Sequence, residues 1–181
     1  MRSRIIIFIT VLFLFSAVSA RAADKIKPTV TPTPIMVIEY NLPYPGLLPD
    51  HPLYFIKDLR DKILLATTRD PYKKSQQLLI IADKHLVMGQ QLWEKQNYRL
   101  SMTTFTRGEE YLLKSVMILT DLKKTSNLPP GQVDKLEMAA KKHKEIMNKL
   151  LAATSDDKDV KDLNEAIAVS NQATQQLAVL K

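Results

Sequence analysis

The 181-residue sequence predicts an all-α fold: an up-and-down helical bundle of four long helices plus a short N-terminal helix, preceded by a Pro-rich extended segment. Three observations predict it. Apolar residues recur at spacings of three, four and seven in five consecutive segments, not in strand-like alternation. Seven of the ten prolines lie between Pro28 and Pro52, and the others (Pro71 and Pro129-Pro130) fall between segments rather than inside them. Good helix formers such as Leu, Lys, Ala and Gln are plentiful, whereas there are only four glycines.

The first helix is expected over 53–67, with Asp50 or His51 as its cap, Pro52 in its first turn, and Ile56, Leu59 and Ile63 as the stripe that docks it. Asp70-Pro71 forms an N-cap and N1 pair that opens a second helix over 71–95. Leu79, Ala82, Leu86, Gly89 and Trp93 form its seam, with Leu78, Ile81, Met88 and Leu92 beside it. The third helix, 98–124, carries Met102, Phe105, Leu112, Val116 and Leu119, and ends on Lys123 and Lys124, where positive charge suits the macrodipole. A fourth over 131–153 follows Pro129-Pro130 and turns Val133, Leu136, Ala140, Met147 and Leu150 inward. A fifth over 157–180, capped by Asp156 or Asp157, buries Val160, Leu163, Ile167, Leu177 and Leu180. Short connections favour antiparallel neighbours.

The chain divides into three parts. Residues 1–22 read as a secretory signal peptide: basic Met1-Arg2-Ser3-Arg4, then an apolar run of about fourteen residues, then small residues that fit cleavage after Ala20 or Ala22. A spanning helix needs roughly 20 apolar residues, so the run is short for a permanent anchor. Residues 23–49 form a Pro-rich extended linker, in which Ile35–Tyr40 is apolar and suited to lie against the domain as a strand-like arm. Residues 50–181 are the helical bundle. Export excludes cytosolic roles and nucleic-acid partners. It places the protein outside the cell or in the cell envelope, with membrane contact expected only through an uncleaved signal segment.

The net charge of +7 drops to about +5 once the signal peptide is removed, an ordinary solubilising value. The absence of cysteine excludes disulfides, thiolate metal sites, cysteine nucleophiles and attachment through a lipidated cysteine. No His-Glu-x-x-His, glycine-rich phosphate loop or Gly-x-Ser-x-Gly occurs. No catalytic, cofactor-binding or metal-binding residues are therefore assigned, and the protein is read as non-enzymatic. His85 and His143 fall on seams of the second and fourth helices. Facing each other, they would make a metal-binding or pH-sensing pair. With no carboxylate ladder expected around them, the pattern favours each sitting at the core edge with its ring nitrogens satisfied. Glu109 and Glu110 are adjacent, point in different directions and do not form an acid/base pair. Lys135, Lys141, Lys142, Lys144 and Lys149 crowd the fourth helix and are the candidate contact for an anionic surface.

Two ordered motifs stand out: Leu48-Pro49-Asp50-His51-Pro52-Leu53-Tyr54-Phe55-Ile56-Lys57, and Asp70-Pro71-Tyr72-Lys73-Lys74 followed by Ala82-Asp83-Lys84-His85-Leu86. Together they resemble an uncharacterised helical domain family of exported or membrane-tethered bacterial proteins. The resemblance spans about 43–93 and implies an all-helical exported domain, with Pro49, Asp50, Pro52, Leu53, Tyr54, Lys57, Asp70 and Pro71 as structural positions and no implied activity. Helices two and three are also similar to a single tetratricopeptide hairpin, as shared hairpin packing only. The expected role is a protein-interaction or structural component of the cell envelope, whose partner is an envelope protein. The alternative is a binder of anionic envelope polymer or of a membrane surface through the basic fourth helix.

Overall fold

The computed structural model describes residues 39–180. The expected signal peptide, most of the expected Pro-rich linker and the apolar stretch 35–38 lie outside the described residues. Five helices follow in order: α1 (Tyr54–Thr67), α2 (Pro71–Glu94), α3 (Tyr98–Thr125), α4 (Gln132–Ala153) and α5 (Asp157–Ala178). The fold is all-helical, and no strand occurs among the described residues.

Local chemistry sets most boundaries. Asp70 accepts from the Lys73 backbone N–H at 3.0 Å, with Pro71 at the first helical position. Asp156 accepts from the N–H groups of Lys158 and Asp159, and Asp157 and Asp159 add negative charge to that first turn. α2 ends where Gln96 takes a left-handed conformation (φ 61) and the Asn97 N–H returns to the Leu92 carbonyl. The start of α1 departs from expectation. Its cap position is Leu53, which makes no side-chain cap bond, and Pro52 lies before the helix. Asp50 does not cap. It pairs instead with Lys95 at 2.9 Å, while His51 Nδ1 accepts from the Leu53 N–H at 3.1 Å.

α2 and α3 form an intimate hairpin. A Cβ at Gly89 would lie 2.5 Å from the Phe105 ring, and one at Gly108 would lie 3.0 Å from His85 Cβ. The two glycines thus let large side chains of the opposite helix sit against backbone. Ser101 Oγ donates to the Gly89 carbonyl at 2.7 Å, and Ser115 Oγ donates to the Ser75 carbonyl at 2.8 Å. α3 then packs mainly against α5, and α5 against α4, while α3 and α4 touch only slightly. Tyr72 near the start of α2 donates to Gln132 at the start of α4, and Lys123 near the end of α3 donates to the Leu180 carbonyl beyond the end of α5. Helices α2 and α4 are therefore co-directional, as are α3 and α5. The connection 126–131, extended at Ser126 and stiffened by Pro129-Pro130, carries α4 past the side of α3 that α5 occupies.

The core comprises two apolar clusters. One gathers Leu79, Leu112, Val116, Leu119, Leu136 and Leu177; the other gathers Leu86, Phe105, Ile146, Met147 and Leu163. The stripe proposed for α1 does not join either cluster. α1 contains no buried residue: Phe55 is 64% exposed, and Ile56, Leu59 and Ile63 are each just over half exposed. The side turned to the bundle carries Tyr54, Lys57, Asp58, Asp61 and Leu65 instead. This helix is inverted because its inward contacts are polar ones. Tyr54 OH meets His85 Nε2 at 3.4 Å, and Lys57 Nζ reaches the Pro45 and Leu47 carbonyls and Met88 Sδ.

Candidate functional site

A polar layer separates the two apolar clusters. Each long helix contributes one buried polar residue to it: Asp83 from α2, Glu109 from α3, His143 from α4 and Ser170 from α5. In every helix this residue falls between members of the two clusters along the chain, so it inherits a seam position. His143 is wholly buried. Its Nδ1 lies 2.7 Å from Glu109 Oε1 and its Nε2 lies 3.0 Å from Asp83 Oδ1.

The electrostatics follow from that geometry. Burial disfavours the imidazolium, but the charge of Glu109 and the hydrogen bonds to Asp83 and Glu109 outweigh it, raising the His143 pKa to about 9. Both ring nitrogens then carry a proton and both donate. One imidazolium is thus clamped between two carboxylates. Glu109 Oε2 and Ser170 Oγ are buried without a hydrogen-bond partner in the protein. This arrangement leaves no ring nitrogen free to bind a metal or take a proton from a substrate. Among the described residues no cluster of three His, Asp or Glu has metal-binding geometry. Five surface grooves of about 260 to 510 Å³ lie elsewhere, and none of the five is lined by a residue of the layer.

The N-terminal arm crosses this layer. Tyr40 packs on the first cluster and Leu42 on the second, and between them the Tyr40 hydroxyl donates to Asp83 Oδ2 at 2.8 Å. Burial, then the charge and hydrogen bond of Asp83, hold the Tyr40 phenol well above its usual range, so it stays a donor. The arm has no regular secondary structure where it is described. Lys57 anchors its far end through the Pro45 and Leu47 carbonyls, and burial lowers the Lys57 pKa.

His85 and His143 do not form a pair. His85 Nδ1 bonds the Ile81 carbonyl at 2.9 Å, and burial lowers its pKa. Both histidines have their ring nitrogens satisfied but are buried rather than at the core edge, and the carboxylates thought absent around them flank His143 on both sides. Glu109 is buried and Glu110 exposed, so the two do diverge. The signal for the layer was present in the sequence: Asp83, Glu109 and His143 each interrupt an apolar seam at a position that packing would otherwise fill. The five lysines of α4 do not form one patch. Lys135, Lys142 and Lys149 recur at intervals of seven, while Lys141 and Lys144 lie on other sides. Lys142 and Lys149 both pair with Glu145, and Lys144 reaches Asn171 on α5. Among the motif residues, Asp70 and Pro71 start α2, Lys57 and Tyr54 hold α1 inward, and Leu53 is exposed.

Residues 46–157 match the family model of a domain of unknown function, DUF5667. The chain belongs to this family. The DUF5667 match runs from Gly46 to the first residue of α5, so it contains Asp83, Glu109 and His143 but neither Tyr40 nor Ser170. The arm and α5 complete a core that the matched region only partly encloses. No curated protein and no solved structure matches the chain. No helix among the described residues is long and apolar enough to cross a membrane.

Proposed function

We propose that this DUF5667 chain is an exported, non-enzymatic domain that works by binding, as an interaction or structural component of the cell envelope. In this reading residues 1–22 direct export, with cleavage after Ala20 or Ala22. The Pro-rich extended segment 23–49 gives reach, and the bundle of four long helices plus the short α1 is the body. The observation that carries it is the outward apolar face of α1. Eight of the thirteen exposed large hydrophobic residues fall between Tyr44 and Leu64, on α1 and its approach. A concentrated exposed apolar patch marks a binding surface. The chemistry-bearing residues, by contrast, are buried and bound to each other.

The test has two parts. Fractionation of producing cells is expected to find the full chain in the envelope or medium, and a chain lacking residues 1–22 in the cytosol. A photo-crosslinking residue at Ile63 is expected to capture an envelope component in intact cells, while one at exposed Lys161 on α5 does not. A cytosolic full-length chain, or equal capture from both positions, overturns the reading.

A further inference from the structure

The outward side of α1 carries charge of one sign as well as apolar surface. Its acids, Asp58 and Asp61, turn toward the bundle with only 26% and 15% of their side chains exposed; their partners Lys62 and Arg60 stand 63% and 64% exposed. At 100° per residue, Ile56 and Ile63 centre the outer face, with Leu59, Phe55 and Lys62 on one flank and Arg60 on the other. The face therefore presents four large apolar side chains and two cations, and no acid. On the Lys62 flank a groove of about 510 Å³ opens between α1, α2 and α3, walled by Leu65, Leu78 and Met117 and bearing Lys74 and Lys114. Its carboxylate, Asp121, is held by Lys124 at 2.8 Å.

We propose that α1 is an interfacial helix that lies on an anionic phospholipid surface. This rests on the reading of the chain as an exported binding domain and names its partner. Phe55, Ile56, Leu59 and Ile63 enter the boundary between headgroups and acyl chains; the exposed heads of Arg60 and Lys62 extend to the phosphates. Lys74 and Lys114 widen the cationic footprint. The charge pattern selects this occupant. A symmetric pairing with a second copy would bring Arg60 and Lys62 of both chains to one seam, with the acids of α1 facing away from it. The face is also a ridge on a single helix rather than a groove. This site differs from the sequence expectation, which placed membrane contact in the signal segment or on α4.

The absence of cysteine allows a direct test on the full chain. Single cysteines at Ile56, Ile63 and, as control, Lys161 are labelled with an environment-sensitive nitrobenzoxadiazole dye. They are mixed with vesicles of phosphatidylcholine containing roughly one-third phosphatidylglycerol, a strongly anionic surface. The expected result is a several-fold emission rise and blue shift at Ile56 and Ile63 and none at Lys161. The Arg60→Gln/Lys62→Gln double variant is expected to need roughly 30-fold more lipid for the same signal, at about 1 kcal/mol per cation. Because the dye reports its own site, binding through residues 5–18 does not mimic the result. Silent probes at Ile56 and Ile63 on vesicles that do bind the chain overturn the proposal. So does a lipid-independent signal that rises with protein concentration, which marks a second copy, or a signal that appears only with an added envelope protein. If fractionation finds the chain in the cytosol, the envelope reading fails whatever the probes report. Silent probes on an envelope-located chain sink the lipid inference alone.

Discussion

His143 donates to Glu109 at 2.7 Å, joining α4 to α3, two helices that otherwise barely touch. With Asp83 on the other ring nitrogen, this contact ties three of the four long helices together at mid-height. A buried charge cluster of this kind is weak evidence for stability, because desolvation opposes the attraction. Its value lies in register: sliding any one helix by a turn would strand a charge in one of the apolar clusters.

The first prediction concerns pH. The His143 pKa, raised to about 9 in the fold from an ordinary 6.5, contributes stability that is fully present below about 6.5 and is lost as pH climbs through 9. Its span corresponds to about 3 kcal/mol. The lowered His85 pKa acts oppositely: its contribution is present above about 6.5 and is lost as pH falls through the folded value. Thermal midpoints measured from pH 5 to pH 10 are expected to peak near neutrality and to fall on the alkaline side. In His143→Gln that alkaline decline is expected to shrink.

Removing the cation exposes the cost of the layer. His143→Ala is expected to destabilise by about 3–5 kcal/mol, since two buried carboxylates lose their partner. Replacing all three charged members together with Leu or Met side chains is expected to recover most of that loss. Urea denaturation of the single and triple variants checks it. A triple variant weaker than the single would contradict the account.

Tyr40→Phe removes one hydrogen bond and leaves the ring. A bond to a charged acceptor is worth about 1.5–3 kcal/mol, so a loss in that range is expected, together with faster proteolysis within 39–47. Unchanged cleavage there would show that Lys57 and Leu42 hold the arm without the hydroxyl.

Gly89→Ala pushes a methyl into the Phe105 ring, with nearest approaches under 3 Å. Overpacking of this kind costs about 1–3 kcal/mol despite the better helix propensity of alanine. Ile63→Lys makes the contrast: an outward position predicts a change within about 0.5 kcal/mol, whereas a docked stripe would predict several. Chemical denaturation of both variants separates the two.

Sequence alone determined the five helices and most of their limits, the start of α1 excepted. Apolar spacing, proline placement and the Asp70 and Asp156 caps are local properties, whereas at α1 the expected cap Asp50 is drawn away by Lys95, distant in sequence. It also determined the hairpin of α2 and α3, because Gly89 and Phe105 complement each other over a short loop, and it carried the two motifs by which the chain resembled its family. Tertiary structure decided which side of each helix faces the core. Periodicity identifies a stripe but not its direction: on α1 the outward stripe is apolar because the inward side is occupied by Tyr54 and Lys57, whose partners His85, Pro45 and Met88 are distant in sequence. Tertiary structure likewise decided that Asp83, Glu109 and His143 meet. Their positions differ by twenty-six and thirty-four residues, and only the packing of α4 against α5, at the margin of both α2 and α3, brings one imidazole between two carboxylates.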